Sequence, residues 1–150
     1  MQQFPIKAER LFFYQYDKAH LNSLHAINKN SVDSICYAEK TTANEAPVSC
    51  LTLNAMLEEM KLSDKKIDLL KIDAQGAEAE ILSGAGSSLD KINNITLELN
   101  LFDFYSKRSS FLEIEKLLPG FELYAITKLS QNPKNFRTDW AEVFYTRKNS

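Results

Sequence analysis

From Ile67 to Asp73 the chain reads Ile-Asp-Leu-Leu-Lys-Ile-Asp, a short segment that is mostly apolar on both alternating faces. It is bounded by the polar break Ser63-Asp64-Lys65-Lys66 and by Gln75-Gly76. A run of this kind predicts a strand buried on both faces, the habit of a central strand in a parallel sheet. Parallel neighbours need crossovers, and helical patterns flank the run on both sides. Leu53, Met56, Leu57 and Met60 fall at i, i+3, i+4 and i+7 behind a Thr52 cap. Ala77, Ile81, Leu82, Ala85 and Leu89 mark a second helix from Gln75 to Leu89.

The alternation continues downstream. Ile95, Leu97 and Leu99 alternate with Thr96, Glu98 and Asn100, a strand. Ser110 and Glu113 form a capping-box pattern for a helix with Phe111, Ile114, Leu117 and Leu118 on its apolar face, stopped by Pro119-Gly120. Phe121–Thr127 and Trp140–Arg147 read as strands, joined by a loop with turn signals at Asn132-Pro133 and Asn135. With no helix between them, they predict an antiparallel hairpin at one side of the sheet. Upstream, residues 11–16 and Val48–Leu51 read as strands, and residues 17–47 as a long polar loop with a short strand at Ser34–Ala38. So long a loop in a small domain is functional or lacks part of its context. The expected fold is α/β, a single domain over residues 1–150, with a mostly parallel sheet ending in an antiparallel hairpin.

Composition limits the function classes. Eighteen Lys and Arg against twenty Asp and Glu give a formal charge of −2, which argues against a nucleic-acid surface. No run of about 18 apolar residues predicts a membrane span. Met1–Arg10 carries Glu9 and no apolar centre, so it does not read as a secretory signal. Cys36 and Cys50 make neither a disulfide framework nor a zinc set and read as buried thiols in a reducing compartment. The expectation is a cytoplasmic protein. Only four glycines occur, Gly76, Gly84, Gly86 and Gly120, so no glycine-rich phosphate loop lies before residue 76.

Ligands of open α/β sheets bind beyond the carboxyl ends of the strands. Asp73 closes one strand there, Glu98 and Asn100 close the next, and Gln75-Gly76 opens the following helix. Asp73 reads either as a carboxylate at the mouth of a cleft or as one satisfied by the N–H groups of the helix behind it. Glu78, in that helix's first turn, reads first as a complement to the helix dipole. Glu98 is a second site candidate. Lys71, inside a strand taken as covered on both faces, is expected to pair with a carboxylate such as Glu98 or to run its stem to the sheet edge. Gly76 lets backbone approach a ligand or a neighbouring strand. His20 and His25 match no metal motif, and no metal site is expected. Phe102, Phe104 and Tyr105 either wall a pocket or pack under a loop, packing being the commoner fate.

Ile67-Asp68-Leu69-Leu70-Lys71-Ile72-Asp73-Ala74-Gln75-Gly76-Ala77-Glu78, with Ile81-Leu82-Ser83-Gly84-Ala85 after it, resembles the signature of FkbM-type S-adenosylmethionine-dependent methyltransferases. Asn22-Ser23-Leu24, Thr52-Leu53-Asn54, Ile95–Glu98, Phe102–Tyr105, Gly120–Tyr124 and Trp140–Phe144 resemble further family segments in order, with Asn54 in place of the family's aspartate. The resemblance covers roughly residues 11–147. It implies a Rossmann-like sheet with its last strand antiparallel. It also implies methyl transfer from S-adenosylmethionine to a hydroxyl of a small-molecule acceptor, a sugar or secondary metabolite. Carried over by position, Asp73, Glu78 and Glu98 are the catalytic candidates, and Asp73, Gln75 and Gly76 the cofactor-binding ones.

The family's early glycine-rich loop has no counterpart in these 150 residues, so this reading expects an N-terminally truncated domain. It expects no S-adenosylmethionine binding measurable by calorimetry for these residues alone. It also expects exposed apolar surface that drives self-association or takes a partner supplying the missing half. The alternative is a non-catalytic remnant acting as a binding or partner module.

Overall fold

The computed structural model describes residues 9–31, 43–133 and 135–148. The expected strand at Ser34–Ala38, Cys36 and nearly all of Met1–Arg10 lie outside them. Among the described residues there are six strands: β1 (Glu9–Tyr16), β2 (Ala43–Cys50), β3 (Ile67–Ile72), β4 (Ile92–Asn100), β5 (Phe121–Gln131) and β6 (Thr138–Arg147). Three helices join them: α1 (Leu53–Glu59), α2 (Glu78–Ala85) and α3 (Phe111–Leu117). The fold is mixed α/β.

β3 to β6 form one four-stranded sheet in the order β3-β4-β6-β5. β3 and β4 are parallel, while β4–β6 and β6–β5 are antiparallel. The sheet is therefore not mostly parallel by its pairings, contrary to expectation. The reason lies in where the hairpin folds. α3 carries β5 across in the same direction as β4 but leaves a gap one strand wide, and β6 turns back to fill it. β6 has the burial of an interior strand, with Ala141, Val143 and Tyr145 inside.

Among the described residues β3 is an edge strand rather than a central one, paired only with β4. Its Leu69 is 51% exposed, because no helix among the described residues covers that face of the sheet. The other face holds the core, where Ile72, Ile95, Leu97, Leu99 and Val143 pack against Leu82, Ile114 and Leu118. Full burial of each such side chain contributes about 1.5–3 kcal/mol.

The caps act as the sequence predicts. Thr52 Oγ1 accepts from Ala55 N at 3.2 Å, and Ser110 and Glu113 form a complete capping box. The expected 75–89 helix is shorter and splits. Gly86 takes a positive φ of 49°, which ends α2, and a 3₁₀ turn continues over Gly86–Lys91. Asn54 ties α1 to that turn, its Oδ1 accepting from Ser88 N at 3.0 Å and from the Ser88 hydroxyl.

β1 and β2 form a separate antiparallel ribbon, Glu9 opposite Cys50 through Tyr16 opposite Ala43. Residues 43–47, expected as loop, are thus strand. Residues 19–31 dock beside the large sheet through a second small core of Leu21, Ile27 and Tyr105, flanked by Tyr16 and Phe104.

Candidate functional site

The carboxyl ends of β3 and β4 meet in a shallow open cleft lined by Lys71, Ile72, Asp73, Thr96, Leu97, Glu98 and Glu142, with about 10 Å³ of enclosed space. The parallel register sets Lys71 beside Thr96 and Ile72 beside Leu97. The antiparallel register of β6 sets Glu142 directly opposite Glu98. Three carboxylates and one lysine therefore share a small space. Burial pushes the Glu98 carboxyl up from 4.5 to about 7, with the like charges of Asp73, Glu78 and Glu142 adding to it and Lys128 opposing.

Asp73 stands exposed at the end of β3, where the sequence predicts it, and accepts from Gln75 Nε2 at 2.9 Å. Its carboxylate is held by a side chain and not by the amides of the following helix. Those amides belong to Glu78. The Glu78 side chain is 1% exposed, and its Oε1 accepts from Ala74 N at 3.3 Å and Gly76 N at 3.1 Å. Burial pushes this carboxyl upward, and the N–H groups of Gly76 and Ala74 act against that. Glu78 thus stitches the turn between β3 and α2 from behind and does not line the cleft.

Gly76 has φ +106°, and a Cβ there would sit 3.0 Å from the carbonyl oxygen of Lys107. The backbone that approaches this glycine is the 107–109 segment, and Ser109 N donates to Gly76 O at 3.0 Å. Gln75 is also conformationally unusual, a non-glycine residue with φ +51°. Its carbonyl accepts from Ser23 Oγ at 2.8 Å, and its side-chain oxygen accepts from Tyr105 O–H at 2.9 Å.

Lys71 is exposed and makes no ion pair among the described residues. The expected pairing with Glu98 fails because that face of β3 is uncovered, so the ammonium stays in water. Phe104 and Tyr105 pack edge to face at 5.0 Å under the 19–31 segment. His25 lies 3.5 Å from Glu80, and burial pushes it below its ordinary value. Cys50 is half-buried on β2. Among the described residues no three His, Cys, Asp or Glu side chains converge as a metal site. At the end of β4, the Asn100 Nδ2 is buried without a hydrogen-bond partner.

Sequence reasoning missed Glu142 and Thr96. Both sit on the polar phase of strands whose alternation is plain, so the signal existed. The missing knowledge was the register that brings residue 142 opposite residue 98, which is a property of the folded sheet.

The acid-rich lining can accept protons or donors and can hold a cation. It fits the positively charged sulfonium of a methyl donor. A backbone cradle for the rest of such a molecule does not fit, because Gly76, the glycine nearest the cleft, is already packed against Lys107. Compared with known families, residues 8–125 match the sequence model of the methyltransferase FkbM domain. No curated protein and no solved structure matches the chain.

Proposed function

The chain belongs to the methyltransferase FkbM domain family, and from that premise we propose that its cleft serves S-adenosylmethionine-dependent methyl transfer to a hydroxyl oxygen of a small acceptor, a sugar or a secondary metabolite. The observation that carries this reading is the meeting of Asp73 and Glu98 beyond the parallel β3–β4 pair, where α/β sheets bind their ligands. When bound, the donor supplies an electrophilic methyl group. The chain's own part is alignment and proton transfer. Glu98, titrating near 7, is poised to take a hydroxyl proton at neutral pH. Asp73 keeps a second carboxylate beside it, favourable to a cationic sulfur. Glu78, Gln75 and Gly76 shape the turn that presents Asp73, and Glu78 is a positioning residue.

One observation favours a second reading, a binding or partner module. Among the described residues β3 ends the sheet with no partner on its outer edge, and the face that none of their helices covers exposes Leu69 and Tyr124. With no glycine before Gly76, the cofactor's backbone cradle would come from another polypeptide segment.

Residue-resolved NMR titration with S-adenosylmethionine up to millimolar concentration tests the methyl-transfer reading. The expected shifts fall on residues 71–76, 96–98 and Glu142, while calorimetry at micromolar concentration stays flat. Shifts that are absent, or confined to another surface, overturn it and leave the partner module.

A further inference from the structure

Three separate stretches of chain converge on Gln75: the turn after β3, the 19–31 segment through Ser23, and the segment after β4 through Tyr105. Ser23, 1% exposed, donates its hydroxyl to the Gln75 carbonyl at 2.8 Å and accepts from His25 N at 2.9 Å. Tyr105, also 1% exposed, donates its O–H to Gln75 Oε1 at 2.9 Å. Gln75 Nε2 in turn donates to Asp73 Oδ1 at 2.9 Å.

We propose that Ser23, Tyr105 and Gln75 form a positioning relay that fixes the Asp73 carboxylate at the cleft. The proposal rests on the reading of Asp73 as a site residue and adds the groups that orient it. The direction of the relay follows from donor and acceptor counts. An ionised carboxylate only accepts, so the Gln75 atom facing Asp73 is the amide nitrogen. The carbonyl oxygen is then left facing Tyr105, whose hydroxyl must donate. Burial raises the phenol well above its ordinary value, with Glu98, Tyr16, Glu78 and Asp73 adding to the effect, so Tyr105 remains a donor. A flipped amide would set the glutamine oxygen against the carboxylate, and the acceptor-only Asp73 selects against it, while Leu21 O, 3.4 Å from the Tyr105 hydroxyl, is a second acceptor for that group.

The backbone supports the same conclusion. Gln75 holds φ +51°, a conformation that residues with a Cβ adopt only when their surroundings over-determine it. Here the carbonyl is tied by Ser23 and both ends of the side chain are tied by Tyr105 and Asp73. Asp73 Oδ2 has no hydrogen-bond partner among the described residues. The relay therefore fixes the carboxylate through one oxygen and leaves the other for a ligand.

The test reads the Gln75 side-chain amide by ¹H–¹⁵N NMR on the full chain. In the wild type its two protons should be strongly inequivalent. Glu98, Glu142, Glu78 and Lys71 also lie around Asp73, so Asp73→Ala, which removes only the acceptor at that position, is the control and should bring the Nε2 protons toward free-amide positions. Tyr105→Phe keeps the ring packing and removes the donor. With backbone resonances of the core unchanged, it should bring the amide pair toward free-amide positions and speed its exchange with water about tenfold. A wild-type amide already at free positions, an amide untouched by Asp73→Ala, or an amide untouched by Tyr105→Phe overturns the relay. The wild-type inequivalence and Asp73→Ala decide the contact even where Tyr105→Phe fails to fold. Neither involves a methyl donor, so failure of the relay and failure of the methyl-transfer reading are seen separately.

Discussion

Replacing Glu98 with glutamine should stabilise the protein above neutral pH and change it little near pH 5. In the folded state the Glu98 carboxyl is pushed from 4.5 to about 7. A carboxyl whose folded value is raised holds its proton more tightly in the native state than in the unfolded one. Between those two values the native state binds more protons, so stability falls as pH rises. The penalty is absent below about 4.5 and complete above about 7. At 1.36 kcal/mol per pH unit the displacement corresponds to about 3.4 kcal/mol. The side chain is still partly open to water, and screening reduces this to about 1–2 kcal/mol. Glutamine keeps the shape and removes the charge. Urea unfolding followed by circular dichroism at pH 5 and pH 8 measures the effect. The variant should exceed the wild type by about 1–2 kcal/mol at pH 8 and match it at pH 5. A variant no more stable than the wild type at pH 8, or one with the wild-type pH dependence, refutes the reasoning.

Other perturbations test the turn and the open face. Gly76→Ala forces a Cβ to within 3.0 Å of Lys107 O at φ +106°, and should lower stability by about 1–3 kcal/mol; an unchanged thermal midpoint contradicts this. Glu78→Ala strands the buried N–H groups of Ala74 and Gly76 and should cost about 2–4 kcal/mol in urea unfolding. Glu78→Gln retains an acceptor and should recover most of that loss. The uncovered face, with Leu69 51% and Tyr124 72% exposed, should make the chain associate as concentration rises. In sedimentation, Leu69→Lys should reduce that association, and a wild type that stays monomeric with low dye binding counts against it.

Much of the fold can be read from local pattern. The strand cores, the Thr52 and Ser110 caps, the α3 stop at Pro119-Gly120 and the final hairpin all follow from residues within a few positions of one another. What the pattern cannot carry is which strands become neighbours. The apolar run at Ile67 predicts two covered faces, yet β3 has one, because burial on the second face depends on chain that would have to pack there. The insertion of β6 between β4 and β5 likewise follows from no local signal. β2 begins at Ala43, in a stretch whose polarity suggests loop, because pairing with β1 overrides propensity; even Pro47 is accommodated, opposite Phe12.

The candidate site divides in the same way. Asp73 and Glu98 are legible because strand ends in α/β sheets gather ligands. Glu142 and the Tyr105–Gln75 contact are not, since they join residues about 30–45 positions apart whose meeting is a consequence of register.

The central claim is that Asp73 and Glu98 share one cleft at the carboxyl ends of β3 and β4. Carboxyl-resolved ¹³C NMR of Glu98 tests it in the wild type and in Asp73→Asn. The account predicts a Glu98 midpoint of about 7 in the wild type and a lower one in the variant, where a neighbouring like charge is gone. A midpoint at the ordinary 4.5, or one indifferent to the loss of Asp73, contradicts it.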